Sequence, residues 1–130
     1  DLEKSIEFYE ALGMKIHQKR AHLLDIPFDS RLSAIMGYGK TEGESGNIEL
    51  MYMYNTHELD LGETFRQISI STPNVTAAYE TLQEAGYSFF KPPSVLEGLG
   101  TEVAALRDPN GYVVVLVSEE GHQKELELAA

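Results

Sequence analysis

The sequence predicts an α+β fold made of two βαβββ modules, and three observations support this prediction. Segments with helical spacing of apolar residues alternate with short segments of strand character. The order of these segments in the first half of the chain is repeated in the second half. A glycine, Gly13 or Gly86, ends each predicted helix. We therefore expect module one at residues 1–55, module two at residues 64–118 and a C-terminal tail at residues 119–130.

Module one begins with a predicted helix over residues 1–12, where Leu2, Ile6 and Tyr9 recur at helical spacing and Asp1 is placed to cap the helix. The strand that opens a βαβββ unit would precede Asp1, so the first strand of this module is missing from the sequence. Three strands are predicted after the helix, at residues 14–20, 32–38 and 47–54, and an irregular connection at residues 21–30 contains Pro27.

Module two repeats this order with its first strand present, at residues 65–71. Pro73 and Asn74 open a predicted helix that continues to Ala85. A short strand at residues 87–90 is expected to end at the Pro92-Pro93 pair. Two further strands, residues 101–106 and 112–118, are joined by the turn sequence Asp108-Pro109-Asn110-Gly111, and the tail after them has no clear amphipathic face.

Composition limits the partners that this chain can have. Its 130 residues suit one domain, expected at residues 1–118, and its net charge of −11 disfavours nucleic acid and anionic membranes as partners. The absence of cysteine excludes disulfides and thiolate metal sites. No apolar run is long enough to span a bilayer and no signal-peptide pattern is present, so we expect a soluble protein of the cytoplasm or an organelle interior.

Several short motifs occur in one order along the chain. They are the run from Leu2 to Tyr9 with Leu12-Gly13-Met14, then Ile48-Glu49-Leu50, Asp60-Leu61-Gly62 and Asp108-Pro109-Asn110-Gly111-Tyr112. Together they resemble glyoxalase I and the vicinal-oxygen-chelate superfamily, whose fold is the glyoxalase/bleomycin resistance/dioxygenase fold. The resemblance implies two modules that curl into a cupped sheet, a site closed at a dimer interface, and lyase chemistry at a Ni²⁺ or Zn²⁺ ion.

The resemblance also implies four metal ligands, one from each of four strands. The first would precede Asp1, the second falls on Glu49, and the third, a histidine in the family, falls on Gln67. The fourth, which also moves the proton, falls on Val115, whose side chain can bind neither a metal nor a proton. We therefore expect a degraded metal site with Glu49 and Gln67 as its remaining candidate ligands, and we assign no catalytic residue.

The resemblance also implies that residues which contact the substrate in the family are replaced in this chain. Met53 replaces an asparagine that helps to hold glutathione, and Glu97 lies near the place of a lysine. Arg66 and Lys91 remain as candidate anion contacts. Met51 and Met53 are predicted to share a sheet face with Glu49, so they flank the expected metal position and favour a filled cavity over an open cup.

Alternative interpretations of the two candidate ligands stay open. Glu49 could instead be a partly buried acid paired with Arg66 or a hydroxyl, because a buried carboxylate needs a partner. Gln67 could be a strand residue that hydrogen-bonds to its neighbours. The four histidines lack the spacing of a metal site.

These observations suggest three alternative functions, of which we favour the first. The first is a non-catalytic binding or assembly subunit without a cofactor, whose partner is another protein or a second copy. The second is a lactoylglutathione lyase or related metalloenzyme that uses Ni²⁺ or Zn²⁺ on the hemithioacetal of glutathione and methylglyoxal. The third is a metal-free protein that binds a small apolar ligand.

Overall fold

The computed structural model describes residues 1–22 and 31–130, which form two compact units, Asp1–Asp60 and Leu61–Ala130. Most of the predicted connection at residues 21–30, including Pro27, lies outside the described residues. No described helix has the length and apolarity needed to cross a membrane. The elements are α1 (Leu2–Ala11), β1 (Lys15–His22), β2 (Arg31–Gly37), β3 (Asn47–Met53), β4 (Ile68–Thr72), α2 (Val75–Glu84), β5 (Phe89–Val95), β6 (Glu102–Arg107), β7 (Val113–Ser118) and α3 (Glu119–Ala129).

Unit 1 is a three-stranded antiparallel sheet in the order β1-β2-β3, with α1 packed on one face. The core between them contains Ile6, Phe8 and Tyr9 from the helix and Ala34 and Met36 from the central strand, all buried. Burying these apolar side chains is the main favourable contribution to the stability of the unit. The helix and the three strands confirm the predicted elements of module one.

Both ends of α1 are closed by groups that the sequence identifies. The Asp1 carboxylate accepts a hydrogen bond from the Lys4 backbone N–H at 3.2 Å, and Gly13 takes a positive φ of 92° after the last turn. The Tyr38 hydroxyl, at the end of β2, donates to the Leu12 carbonyl at 2.9 Å. The Tyr38 hydrogen bond holds the C-terminal end of the helix to the end of β2.

Unit 2 contains a complete βαβββ arrangement. Its sheet has the order β4-β7-β6-β5, in which β4 runs parallel to β7 and the other neighbours are antiparallel. Helix α2 packs on one face, where Val75 and Leu82 are buried together with Leu106, Val114 and Leu116 of the sheet. The fold class predicted from the sequence, α+β with the βαβββ order, is therefore confirmed.

Strand β5 does not end at the Pro92-Pro93 pair, as the sequence predicts, but continues through it to Val95. The strand lies at the edge of its sheet, and its register against β6 shifts between Lys91 and Ser94. Proline is tolerated at edges and bulges because it has no N–H to give to a neighbouring strand. The prediction was wrong because the sequence does not show which strand is at the edge.

Helix α3 forms where the sequence suggests a tail without an amphipathic face. Leu126 and Leu128 remain exposed, so apolar burial does not attach this helix. A side chain at Gly121 would lie 2.8 Å from the Thr101 Cα atom, so the glycine permits close approach. The Thr101 hydroxyl, fully buried, donates to the Glu125 carboxylate. Close backbone packing and one hydrogen bond therefore dock α3.

We predict that Glu125→Ala loosens α3 without unfolding unit 2. The variant removes the acceptor of the buried Thr101 hydroxyl, and the loss of one such charge-assisted hydrogen bond should raise the exchange rate of the α3 amides by about tenfold. Hydrogen exchange read by mass spectrometry measures this change. Glu127→Gln removes an exposed charge from the same helix but keeps an acceptor for the Gln123 side chain, so it should leave the rates unchanged. Equal rates in the native protein and both variants would contradict the docking role of Glu125.

We also predict a pH-dependent contribution of Tyr38 to stability. Burial raises the pKa of the Tyr38 hydroxyl above its ordinary value. The hydroxyl of the unfolded chain therefore loses its proton at a lower pH than that of the folded chain. The contribution of Tyr38 to the free energy of unfolding is complete below the ordinary tyrosine pKa of about 10 and declines as pH rises above that value. Tyr38→Phe should flatten this alkaline decline in urea unfolding midpoints. Tyr54→Phe, at a tyrosine whose hydroxyl makes no hydrogen bond to a described residue, should retain it. A native-like decline in Tyr38→Phe would disprove the effect.

Candidate functional site

Each unit presents the predicted site residues on the sheet face that its first helix leaves uncovered. In unit 1 we define the open face by Gln18, Ile35, Glu49, Met51 and Met53. The register places Gln18, Ile35 and Glu49 side by side across β1, β2 and β3. Directly opposed residues of antiparallel strands share a face, so these side chains lie on the side away from α1.

Glu49 is exposed, and no hydrogen bond or ion pair joins it to any described residue. The alternative interpretation, in which Glu49 is a partly buried acid paired with Arg66 or a hydroxyl, is therefore wrong, because Glu49 is exposed. Its nearest cross-strand neighbour is the apolar Ile35. Beyond Ile35, the Gln18 amide donates to Glu42 at 3.2 Å and so turns to a different carboxylate. The Glu49 carboxylate remains available to bind a group that comes from outside unit 1.

The methionines beside Glu49 confirm the predicted alternation along β3. Met51 and Met53 are 50% and 57% exposed, whereas Tyr52 and Tyr54 stack edge to face, with ring centroids 5.3 Å apart. At this exposure, the two methionines do not fill a cavity within unit 1. The expectation of a filled cavity is therefore wrong for this face. The methionines instead form an apolar surface around the carboxylate.

Unit 2 contains a cavity of about 510 Å³ on the face opposite α2. Its floor is formed by Val113, Val115 and Val117 of β7, which share one face as the sequence predicts, and by Val103 and Ala105 of β6. The walls are formed by side chains at the β4 edge of the sheet, at and after β5, just before β6, and on α3. These residues are Gln67, Ser69, Phe90, Lys91, Leu96, Thr101, His122 and Glu125. The cavity is therefore largely apolar, with a few polar groups at its sides.

The strand register orders the residues around Val115. Ser69, Val115, Ala105 and Lys91 form one row across β4, β7, β6 and β5. Gln67 precedes β4, which begins at Ile68, later than the predicted start at residue 65. The Gln67 amide donates to the Ser69 hydroxyl at 2.9 Å, so Gln67 does hydrogen-bond to a neighbour, as one of its two interpretations expects.

Several lining residues are not identified by the sequence, and two of them come from the C-terminal tail. His122 and Glu125 reach the cavity because α3 docks at its side, where Glu125 accepts a hydrogen bond from Thr101. No signal in the sequence places them there, since the tail has no clear helical face. Of the other predicted contacts, Arg66 and Glu97 are exposed, in the segment before β4 and after β5, whereas Lys91 lines the cavity.

The described residues do not hold a complete metal site. Among them, no three His, Asp or Glu side chains are grouped closely enough to bind an ion. The open face of unit 1 offers the Glu49 carboxylate. The cavity of unit 2 offers the carbonyl oxygen of Gln67 and the side chains of His122 and Glu125, while Val115 offers no donor. A tetrahedral site for Zn²⁺ needs four ligands. The faces of the two units therefore do not, each by itself, fit a metal ion.

The chain is similar to proteins named lactoylglutathione lyase. The lactoylglutathione lyase of Oryza sativa subsp. japonica is 37% identical, in an alignment that covers 98% of this chain and 44% of that protein. A probable lactoylglutathione lyase of Synechocystis is 31% identical over 90% of this chain and 86% of its own length. The crystal structure of glyoxalase I from Zea mays superposes with a TM-score of 0.85 at 37% identity, over 98% of this chain and 46% of that one.

The chain thus spans less than half the length of the plant proteins that it matches and most of the cyanobacterial one. The match to a protein family covers most of the chain, namely all of unit 1 and unit 2 as far as residue 116. The residues matched are 1–116, and the βαβββ order of unit 2 agrees with the fold of that family. The chain belongs to the glyoxalase/bleomycin resistance protein/dioxygenase superfamily, as a glyoxalase I-like domain.

Proposed function

We propose that this chain is a domain of a lactoylglutathione lyase, to which Glu49 contributes one metal-binding carboxylate. The remaining ligands would come from another glyoxalase domain, either in the same polypeptide or in a second copy. The substrate would be the hemithioacetal of glutathione and methylglyoxal. The observation that carries this proposal is the Glu49 side chain, exposed on an open face and without a partner among the described residues.

The surroundings of Glu49 suit a carboxylate that acts on a bound group. Ile35 lies beside it across the sheet, and Met51 and Met53 follow it along β3. If another domain covers this face, the carboxylate loses water, and such a loss is costly unless a cation or donor replaces the water. A metal ion would provide this compensation, and carboxylate oxygen is a suitable ligand for Zn²⁺.

The size of the relatives supports the need for a second domain. This chain aligns with 44% of the Oryza protein, so that protein has room for a further domain of similar size. The described residues of this chain supply too few ligands for a closed metal site. A site shared between two domains would resolve this shortage without a carboxylate at Val115.

Arg20 offers a contact for the anionic substrate. The register places it in the row of Ser33 and Met51, next to the row of Glu49 on the same open face. The net charge of −11 repels an anion, so a local cation is needed to hold a carboxylate of glutathione. We propose that Arg20 provides this attraction beside the Glu49 carboxylate.

A second candidate function is a non-catalytic binding or assembly subunit. The observation in its favour is Val115, which puts an aliphatic side chain where the family resemblance expects a carboxylate. The exposed Met51 and Met53 would then form part of an interface with a protein partner. The names of the relatives favour the lyase, so we place this function second.

We predict that Glu49→Gln lowers lyase activity in protein made from the complete coding sequence. The change keeps the shape of the side chain and removes its charge, and the loss of a catalytic-site carboxylate should reduce kcat/KM for the hemithioacetal by at least about a hundredfold. Formation of lactoylglutathione, followed by ultraviolet absorbance, measures activity, and mass spectrometry of the purified protein measures bound nickel and zinc. The metal content should fall together with the activity.

Glu7→Gln is the matched control because it changes an exposed glutamate of α1, on the opposite side of the same sheet. It should keep native activity and metal content. If Glu49→Gln behaves like Glu7→Gln, Glu49 is not a ligand. If the native protein does not turn over the hemithioacetal at all, the lyase proposal is overturned in favour of the binding subunit.

A further inference from the structure

We propose that the cavity of unit 2 binds a small apolar molecule carrying one carboxylate, without a metal, and that Lys91 holds the carboxylate. The proposal does not rest on the lyase function, because it concerns the cavity of unit 2 and does not involve Glu49. It rests on three features of the cavity, which are its size, its aliphatic floor and the position of one lysine.

The size and lining of the cavity suit a small organic ligand. Its volume of about 510 Å³ lies within the range of about 300–1,000 Å³ that is common for such sites. The valines of β7 and the buried Val103 and Ala105 make its floor aliphatic. At the side, the Phe90 ring lies 5.2 Å from the Arg107 guanidinium, measured to the ring centroid, and this stacking restrains the aromatic wall. The apolar part of a ligand bound there would move out of water into contact with an aliphatic surface, which is favourable.

The register places Lys91 in one row with the residues at the centre of the floor. Lys91 lies beside Ala105, and Ala105 lies beside Val115, in the row that crosses the sheet. Lys91 lines the cavity, and no described carboxylate forms an ion pair with it. Its ammonium group is therefore available to a ligand.

The lining carries one lysine, Lys91 on β5, and one carboxylate, Glu125 on α3, which contacts β4 and β7 at the other side of the sheet. Glu125, the acidic residue in the lining, accepts a hydrogen bond from the buried Thr101 hydroxyl. Val115 contributes no negative charge to the floor. A lysine ammonium repels a metal cation and attracts a carboxylate, and this attraction is stronger at a partly dehydrated site than in water. The valine that is unsuitable for a metal site is thus well suited to an apolar ligand.

The test compares octanoate with octanol, which have chains of equal length and differ in charge. Isothermal titration calorimetry with the purified 130-residue chain should show binding of octanoate that is about tenfold tighter than binding of octanol, because only octanoate can form a charged contact with Lys91. Lys91→Met keeps the length of the side chain and removes the charge, so it should weaken octanoate by about tenfold and leave octanol unchanged.

Lys15→Met is the matched control, since it removes an exposed strand lysine from unit 1. It should bind octanoate as the native chain does. A second variant, Val115→Glu, places a negative charge on the floor and should abolish octanoate binding, and circular dichroism checks that it folds. The proposal is overturned if octanoate does not bind, if octanol binds equally well, or if Lys91→Met matches the native chain. None of these results bears on lyase activity, which depends on Glu49.

Discussion

The packing of one helix against one face of each sheet determines where this chain can bind other molecules. Helix α1 covers one face of the β1-β2-β3 sheet, and α2 covers one face of the β4–β7 sheet, where the fully buried side chains collect. An antiparallel sheet that is covered on one side has a second face whose side chains are not needed for the core. In both units the candidate functional residues occupy this second face.

The two second faces have different chemistry although they belong to the same kind of module. In unit 1 the face carries a carboxylate, Glu49, among exposed methionines and an isoleucine. In unit 2 it carries valines and a lysine, and α3 adds a wall that gives it the form of a cavity. A carboxylate without a partner suits a cation, and a lysine above an aliphatic floor suits an apolar anion. One repeated architecture therefore presents two faces of different chemistry.

Much of this arrangement is predictable from local signals. The caps of the helices depend on residues close in sequence, such as Asp1 before α1 and Asn74 before α2, whose side chain accepts from the Ala77 N–H at 2.9 Å. The face shared by Val113, Val115 and Val117 follows from the two-residue period of a strand. The similarity of short motifs to one family leads to Glu49, Gln67 and Val115. The exposure of the Glu49 side chain is not predictable from the sequence, because it depends on which face of the sheet α1 covers.

The sequence by itself determined the βαβββ order, the ends of α1 and α2, the superfamily and the absence of a carboxylate at Val115, because each depends on residue type and short spacing. Only the tertiary structure decided that β5 is an edge strand that tolerates two prolines, and that α3 docks through Gly121 and Glu125. It also decided that Lys91 and Val115 share one row. These features depend on contacts between residues far apart in the chain, and such contacts leave no periodic pattern in the sequence.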